Sequence, residues 1–257
     1  MFAHYVKNIK LGWSVRISIV VPVHNEAENI VSLIQEIVNA MSQAEAYEII
    51  YVDDGSKDQT PEVLKQALHD FKNLRVIHHQ TSCGQSTAVH SGVKAARYPW
   101  IATLDGDGQN DPTDIPNLYQ VLIKQKETIS NLSMVAGWRN KRYDSEWRLF
   151  SSKVANAIRS KLLGDHTPDT GCGLKVFSRE CFLNLPYFNH MHRFLPALII
   201  RAGGQVISEP VSHRSRVNGV SNYGTLDRLW AGITDICGVI WLQKRAKLPV
   251  ISEIEAK

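Results

Sequence analysis

Ile101-Ala-Thr-Leu-Asp-Gly-Asp-Gly-Gln-Asn-Asp-Pro112 is the stretch on which the reading of this chain turns. Trp100 to Leu104 reads as a short apolar strand that ends in two carboxylates, Asp105 and Asp107, followed by Gln109 and a turn closed by Pro112. Alternate residues of a strand project to the same side, so both carboxylates can face one point. Two like charges held that close repel unless a cation lies between them, and oxygen ligands suit a hard ion such as Mg²⁺ or Mn²⁺. Gly106 and Gly108 leave room for backbone to approach a ligand. The expectation is a divalent-metal site at the carboxyl end of a strand, where open α/β sheets put their ligands. The plainer alternative is an Asp/Gly-rich surface turn.

Outward from this turn, strands and helices alternate. Ile17 to Val23 reads as a continuous apolar strand, and Glu26 to Met41 as a helix with Ile30, Leu33, Ile34, Ile37 and Met41 on one face. Tyr47 to Val52 is the next strand, Thr60 with Pro61 opens a helix, and Leu74 to His78 is a third strand. Ser86 to Arg97 is a helix whose small residues Ala88, Gly92, Ala95 and Ala96 suit close packing on a sheet. This alternation implies a mostly parallel sheet with helices on both faces. In the second half, Ser133 to Gly137, Leu174 to Phe177 and Gln205 to Val211 read as strands, and Glu146 to Leu163 as a long helix.

No Pro/Ser linker or internal repeat divides the chain, so one catalytic domain is expected over 17–224, after an N-terminal extension (1–16) and before a C-terminal segment (225–257). In that last segment Leu226, Leu229, Trp230, Ile233, Ile236, Cys237, Ile240 and Trp241 recur at helical spacing, and Lys244, Arg245 and Lys247 follow. An amphipathic helix lying at a membrane surface is one reading, and a helix packed on its own domain is the other. Arg228 and Asp235 disfavour a membrane span, and no run of 18 or more uncharged apolar residues occurs.

The 257 residues suffice for a substantial core, and 44% hydrophobic with 21% charged residues is the balance of an ordinary globular protein. A net charge of +4 can face phosphate or anionic lipid but is too small to argue for nucleic acid. Cys83, Cys172, Cys181 and Cys237 show neither CxxC nor zinc-finger spacing, so reduced thiols in a cytoplasmic protein are expected, and the N-terminus lacks the apolar run of a signal peptide. His78, His79, His90, His190 and His192 are scattered without ligand spacing and read as structural or exposed.

Two further strand ends carry polar groups. Pro22-Val-His-Asn-Glu26 follows the first strand, and Val52-Asp-Asp-Gly-Ser56, with Asp58 and Thr60 behind it, follows the second. Three neighbouring acceptor-rich loops on one sheet edge describe a nucleotide pocket, with carboxylates for ribose hydroxyls and base N–H groups and a metal for a diphosphate. From about Ile17 to Arg245 the chain resembles family 2 glycosyltransferases, and among them the polyprenyl-phosphate sugar transferases of the dolichyl-phosphate mannosyltransferase type.

That resemblance implies a GT-A fold, a nucleotide-sugar donor linked to UDP or GDP, and Mg²⁺ or Mn²⁺. Pro22, His24, Glu26, Val52, Asp53 and Asp54 would line the nucleoside, with Gly106, Arg216 and Asn222 completing the donor site. Asp105 and Asp107 would contact donor and metal, Gln109 would complete the coordination, and Arg139 of Gly137-Trp-Arg139 would clamp the diphosphate. Arg148, Ser152, Lys175 and Ser221 would serve an acceptor phosphate, and Asp169 would assist on that side or cap a turn before Gly171. His24 stands where the family usually has an aromatic residue, and Asn222 where it has lysine, which leaves the donor's base and sugar open.

The expected activity is inverting, metal-dependent transfer of a sugar to a polyprenyl phosphate by a protein peripheral to the inner face of the membrane. An integral-membrane partner fits that placement, since several family members carry transmembrane helices after this region. The rival readings are a saccharide-hydroxyl acceptor, which would need a general base with Asp169 the first suspect, and a non-catalytic nucleotide-sugar-binding adaptor. A nucleotidyltransferase is disfavoured, because no Gly-rich phosphate loop with a following lysine precedes the first helix.

Overall fold

A computed structural model describes residues 15–139, 156, 159–214 and 225–249. The strands are β1 (Arg16–Val23), β2 (Ala46–Asp53), β3 (Leu74–His78), β4 (Trp100–Thr103), β5 (Leu132–Arg139), β6 (Lys175–Ser178) and β7 (Gln205–Val211). The helices are α1 (Ile30–Ala40), α2 (Thr60–Asp70), α3 (Gln85–Ala95), α4 (Asp114–Lys126), α5 (Arg179–Leu183), α6 (Leu195–Arg201) and α7 (Thr225–Arg245). All seven strands form one sheet in the order β3-β2-β1-β4-β6-β5-β7. Pairing is parallel except for β6, which runs antiparallel to both β4 and β5.

The period of two along β1 divides the core. Ile17, Ile19, Val21 and Val23 face one layer with Ile30, Leu33, Ile34 and Ile37 of α1, Leu64 of α2 and Ile115 and Leu118 of α4. Val20 and Ile50 face the other, with Ala88, Val89 and Val93 of α3, Leu195, Leu198 and Ile199 of α6 and Val239 of α7. Each buried Val, Leu or Ile side chain among these contributes about 1.5–3 kcal/mol relative to exposure. This two-sided covering is why the strands read as continuous apolar runs. Mixed pairing and helices on both faces give the expected GT-A-like α/β architecture.

Several elements depart from the expectation. α1 begins at Ile30 rather than Glu26, because Asn25 takes a left-handed backbone (φ 57°) and residues 27–29 form a turn in which Glu26 Oε2 accepts from Asn29 Nδ2 at 2.7 Å. α4 was not anticipated, although Ile115, Leu118, Tyr119 and Leu122 form a buried helical stripe; Pro112 and Pro116 masked its start. The short α5 and α6 between β6 and β7 were also missed. Of the helix expected over 146–163, only 156 and 159–163 are described, and they are helical.

α7 packs Val239, with Ile236, Ile240 and Leu242, onto the second core layer. Arg201 Nε donates to the Leu242 carbonyl at 2.9 Å, and Gln243 Nε2 to the Leu163 carbonyl at 2.8 Å. On the same helix Ile233 is 46% and Trp241 59% exposed. Among the described residues no helix is long and apolar enough to cross a membrane.

Candidate active site

β1 pairs with β2 on one side and β4 on the other, so the loops leaving these three parallel strands share one edge at the point where strand order reverses. β6 is antiparallel and therefore starts at that same edge, which brings the segment before it, 170–174, over the end of β4. Together they line a cavity of about 240 Å³ that includes Pro22, Gln85, Asp105, Gly173, Lys175 and His192.

β4 ends at Thr103, so Asp105 and Asp107 ride on the turn beyond it, and strand alternation is not what orients them. Asp107 Oδ1 accepts from the Gln109 N–H at 3.1 Å, and the Asp105 N–H donates to Asn110 Oδ1 at 3.1 Å. A Cβ on Gly106 would fall 2.4 Å from Val23 Cγ1, so a side chain would lift this turn off the end of β1. Gln109 holds Arg214 through its carbonyl, which accepts the Arg214 N–H at 2.9 Å, while the Arg214 guanidinium is paired with Asp111 at 2.8 Å.

Gln85 Nε2, at the start of α3, donates to Asp105 Oδ1 at 2.8 Å. Burial pushes the Asp105 carboxyl up to about 6, the neighbouring Asp107 adds to this, and Lys175, Gln85 and Arg139 oppose it. The turn thus offers two carboxylates and the side-chain carbonyl of Gln109, all oxygen donors of the type that suits a hard divalent cation.

Arg139 at the end of β5 grips Asp169 with a two-pronged fork: Nε donates to Oδ2 at 2.6 Å and Nη2 to Oδ1 at 2.8 Å. Burial alone would lower the Arg139 guanidinium, but the hydrogen bonds and charge of Asp169 raise it further. The residue expected to clamp the diphosphate and the candidate base are thus partners of each other. Lys175, buried at the start of β6, donates to the Cys172 carbonyl; burial lowers its ammonium against the opposing pull of Cys172, Asp105 and Asp169. Across the cavity His192 Nδ1 shares a 2.7 Å hydrogen bond with Ser86 Oγ, and burial with Arg193, Lys175 and His190 nearby pushes the imidazole down to about 3.

At the ends of β1 and β2, His24 Nδ1–H donates to the Asp54 carbonyl at 2.8 Å, leaving the exposed ring beside the edge. The Asp54 carboxylate accepts from Cys83 N–H (2.9 Å), Gly84 N–H (2.7 Å), Ser82 Oγ (2.9 Å) and His79 Nδ1 (2.7 Å). Burial would raise its carboxyl, yet these donors hold it below the usual carboxylate range. Asp53 accepts from the Ser56 N–H at 3.0 Å and from His78 Nδ1 at 2.8 Å. His78 and His79 therefore brace the two acids. The Val52 side chain is buried in the core, so only its backbone faces the edge. Glu26 lines a neighbouring depression with Asn25, Glu28, Asn29, Asp58 and Gln59.

Arg148, Ser152, Arg216, Ser221 and Asn222 lie outside the described residues. Sequence reasoning missed Gln85, Gly173 and His192 as site residues. Gln85 carried a signal, since Cys83-Gly84-Gln85 opens a helix of small residues; nothing in the spacing tied 173 or 192 to Asp105.

Comparison with known proteins agrees with this architecture. The chain is 33% identical to dodecaprenyl-phosphate galacturonate synthase of Rhizobium johnstonii, over 92% of this chain and 70% of that protein. It is 30% identical to undecaprenyl-phosphate 4-deoxy-4-formamido-L-arabinose transferase of Aeromonas hydrophila, over 82% of this chain but only 63% of that relative's length. Among solved structures, mannosyl-3-phosphoglycerate synthase from Rubrobacter xylanophilus shares the fold at a TM-score of 0.65 and 16% identity, covering 96% of this chain and 80% of that one. Glucosyl-3-phosphoglycerate synthase from Mycobacterium tuberculosis, solved with Mn²⁺, uridine diphosphate and phosphoglyceric acid, does so at 0.63 and 18%, covering 93% and 81%. Residues 18–185 match the model of glycosyl transferase family 2, and with that match and the first relative the chain belongs to this family.

Proposed function

We propose that this protein transfers a sugar from a UDP- or GDP-linked donor to a polyprenyl phosphate, with inversion and with Mg²⁺ or Mn²⁺ held by Asp105, Asp107 and Gln109. The reading is supported by the relatives, which are named for transfer to dodecaprenyl and undecaprenyl phosphate, and by one observation in the site. Asp169, the first candidate for a general base, has both oxygens engaged by Arg139. A phosphate monoester has a second pKa of about 6 and arrives largely dianionic at neutral pH, so it needs cations rather than a base. A saccharide hydroxyl would need the base that Asp169 is poorly placed to supply.

In this reading Lys175 orients the acceptor phosphate beside Asp105, joined by Arg148, Ser152 and Ser221, while Arg216 and Asn222 complete the donor site. Arg139, already held by Asp169, faces the leaving diphosphate. A bound divalent cation supplies electrostatic stabilisation of the charge that grows on that leaving group. His24, Glu26, Asp53 and Asp54 take the nucleoside end of the edge, beside Pro22 and the Val52 backbone, and Gly106 lets the metal-binding turn lie close to the donor.

The polyprenyl tail stays in the bilayer, so the protein works as a peripheral enzyme at the cytoplasmic face, docked through Ile233 and Trp241 of α7 and the basic residues Lys244, Arg245 and Lys247. An integral-membrane partner belongs to the same reading.

The test is a panel of labelled UDP- and GDP-sugars with a short-chain polyprenyl phosphate, with and without EDTA. EDTA-sensitive label in an organic-extractable lipid supports the reading. Label moving only to a free saccharide, or none with any polyprenyl phosphate, overturns it.

A further inference from the structure

A second cluster of ligating side chains lies at the nucleoside end of the same edge, with chemistry unlike that of the Asp105 turn. A carboxylate oxygen of Asp54, an imidazole nitrogen of His79 and the thiol of Cys83 all lie within 4.8 Å of one another. They come from the ends of β2 and β3 and from the residue just before the N-cap of α3, so three chain segments converge on one point. The convergence is rigid: a Cβ on Gly55 would fall 2.5 Å from the Ser82 nitrogen, so the β2 and β3 exit loops are packed directly on each other. We propose that Asp54, His79 and Cys83 form a binding site for a borderline-soft divalent cation of the Zn²⁺ class, separate from the hard-cation site, and that its occupancy excludes the nucleotide.

Thiolate with imidazole and carboxylate is a zinc-type donor set, whereas Mg²⁺ and Mn²⁺ prefer oxygen alone. The far nitrogen of the imidazole is already anchored, since His79 Nε2 lies 2.9 Å from Ser91 Oγ. Such an outer hydrogen bond is what orients a metal-ligating histidine.

Protons balance simply. In the metal-free arrangement the Nδ1 hydrogen points at Asp54 Oδ1, 2.7 Å away, and Nε2 accepts from Ser91. On binding, the imidazole hydrogen moves to Nε2 and is donated to Ser91 Oγ. Nδ1 and Asp54 Oδ1 turn their freed lone pairs to the cation, and the Cys83 thiol gives its proton to solvent. Asp54 keeps the Ser82 and Gly84 hydrogen bonds to Oδ2, so the loop need not unfold. Three protein ligands leave a fourth position for water. Cys83 is exposed, so a cation can enter from solvent.

The exclusion of nucleotide rests on the reading that Asp54 serves the nucleoside; cation binding itself does not. The test titrates the full chain with Co²⁺, a spectroscopic stand-in for Zn²⁺, without nucleotide. A thiolate-to-metal absorption band in the near ultraviolet, saturating at one equivalent and lost in both Cys83→Ser and His79→Gln, is expected. No band, or a band unchanged in Cys83→Ser, overturns the site. Affinity for UDP and GDP in Mn²⁺ is then measured with and without one equivalent of Zn²⁺. A loss of at least about 10-fold for the bound nucleotide, absent in Cys83→Ser, is expected. If the band is present and nucleotide affinity is unchanged, the exclusion is overturned and the assignment of Asp54 to the nucleoside falls with it, while the cation site stands.

Discussion

Gly173 lies flat against the carboxylate of Asp105: a Cβ built on Gly173 would fall 2.3 Å from Oδ2 and 2.5 Å from Cγ. The loop carrying it is pinned by Thr103 Oγ1, which donates to the Gly173 carbonyl at 2.9 Å. Gly173→Ala must therefore push the carboxylate out of place. Because a displacement of about 1 Å at a reacting centre costs on the order of 100-fold in rate, kcat is expected to fall by that factor while the thermal melt moves little. Steady-state turnover beside a circular-dichroism melt checks this, and wild-type turnover would remove Asp105 from the chemistry.

Asp107→Asn keeps the shape of the turn, since its remaining oxygen still accepts from Gln109, but removes one of the two charges proposed to hold the cation. Turnover is expected to drop at least about 100-fold, with Mn²⁺ affinity falling in parallel by calorimetry. Retained affinity with lost turnover would separate Asp107 from metal binding.

The Arg139–Asp169 fork is largely shielded, with side chains 15% and 8% exposed. Removing either partner strands the other's charge, so Arg139→Ala and Asp169→Ala are each expected to cost about 3 kcal/mol of stability. The double variant should lose clearly less than the two combined, as denaturant unfolding of all four proteins would reveal. Additive losses would mean the fork contributes nothing.

His192 supplies the pH dependence. Its imidazole sits near 3 in the folded protein against an ordinary 6.5, so between those values the unfolded chain binds more protons. Stability should rise with pH across that window and be lost as pH falls from about 6.5, with a slope of at most about 1.4 kcal/mol per pH unit from this group. Comparing melts of wild type and His192→Asn from pH 7 to pH 4.5 isolates it; identical slopes would show that His192 titrates freely.

Trp241 and Ile233 present exposed apolar surface on α7, whereas Val239 is buried. Trp241→Glu is expected to weaken binding to anionic vesicles by roughly 10-fold, given about 25 cal/mol per Å² of apolar surface. Turnover of a detergent-dispersed short acceptor should stay unchanged. Sedimentation with vesicles reads the first and the transfer assay the second; unaltered sedimentation would leave that face without a membrane role.

Much of the fold was legible because period and punctuation agree along the first hundred residues. β3 falls on Leu74–His78 as read, and β1, β2 and β4 lie within a residue of their expected ends, because strands buried on both faces carry unbroken apolar runs. α4 was hidden by its prolines despite its stripe. The antiparallel sense of β6 has no local signature, since a strand of four residues looks alike in either direction. In the site, residues on one turn or one strand end could be grouped by spacing. The couplings that cross the sheet edge could not: Gln85 to Asp105, Arg139 to Asp169 and Ser86 to His192 join residues 20, 30 and 106 positions apart.

The reversed strand has one further consequence. β6 is hydrogen-bonded on both sides and, among the described residues, is the strand that bridges β4 and β5. A chain released before Lys175 would leave one border of β4 bare and β5 with neither of its neighbours, β6 and β7, and such borders stick to any extended segment they meet. During synthesis the first 139 residues therefore emerge with adhesive flanks that stay open until β6 and then β7 are made, a window in which misassembly competes with folding.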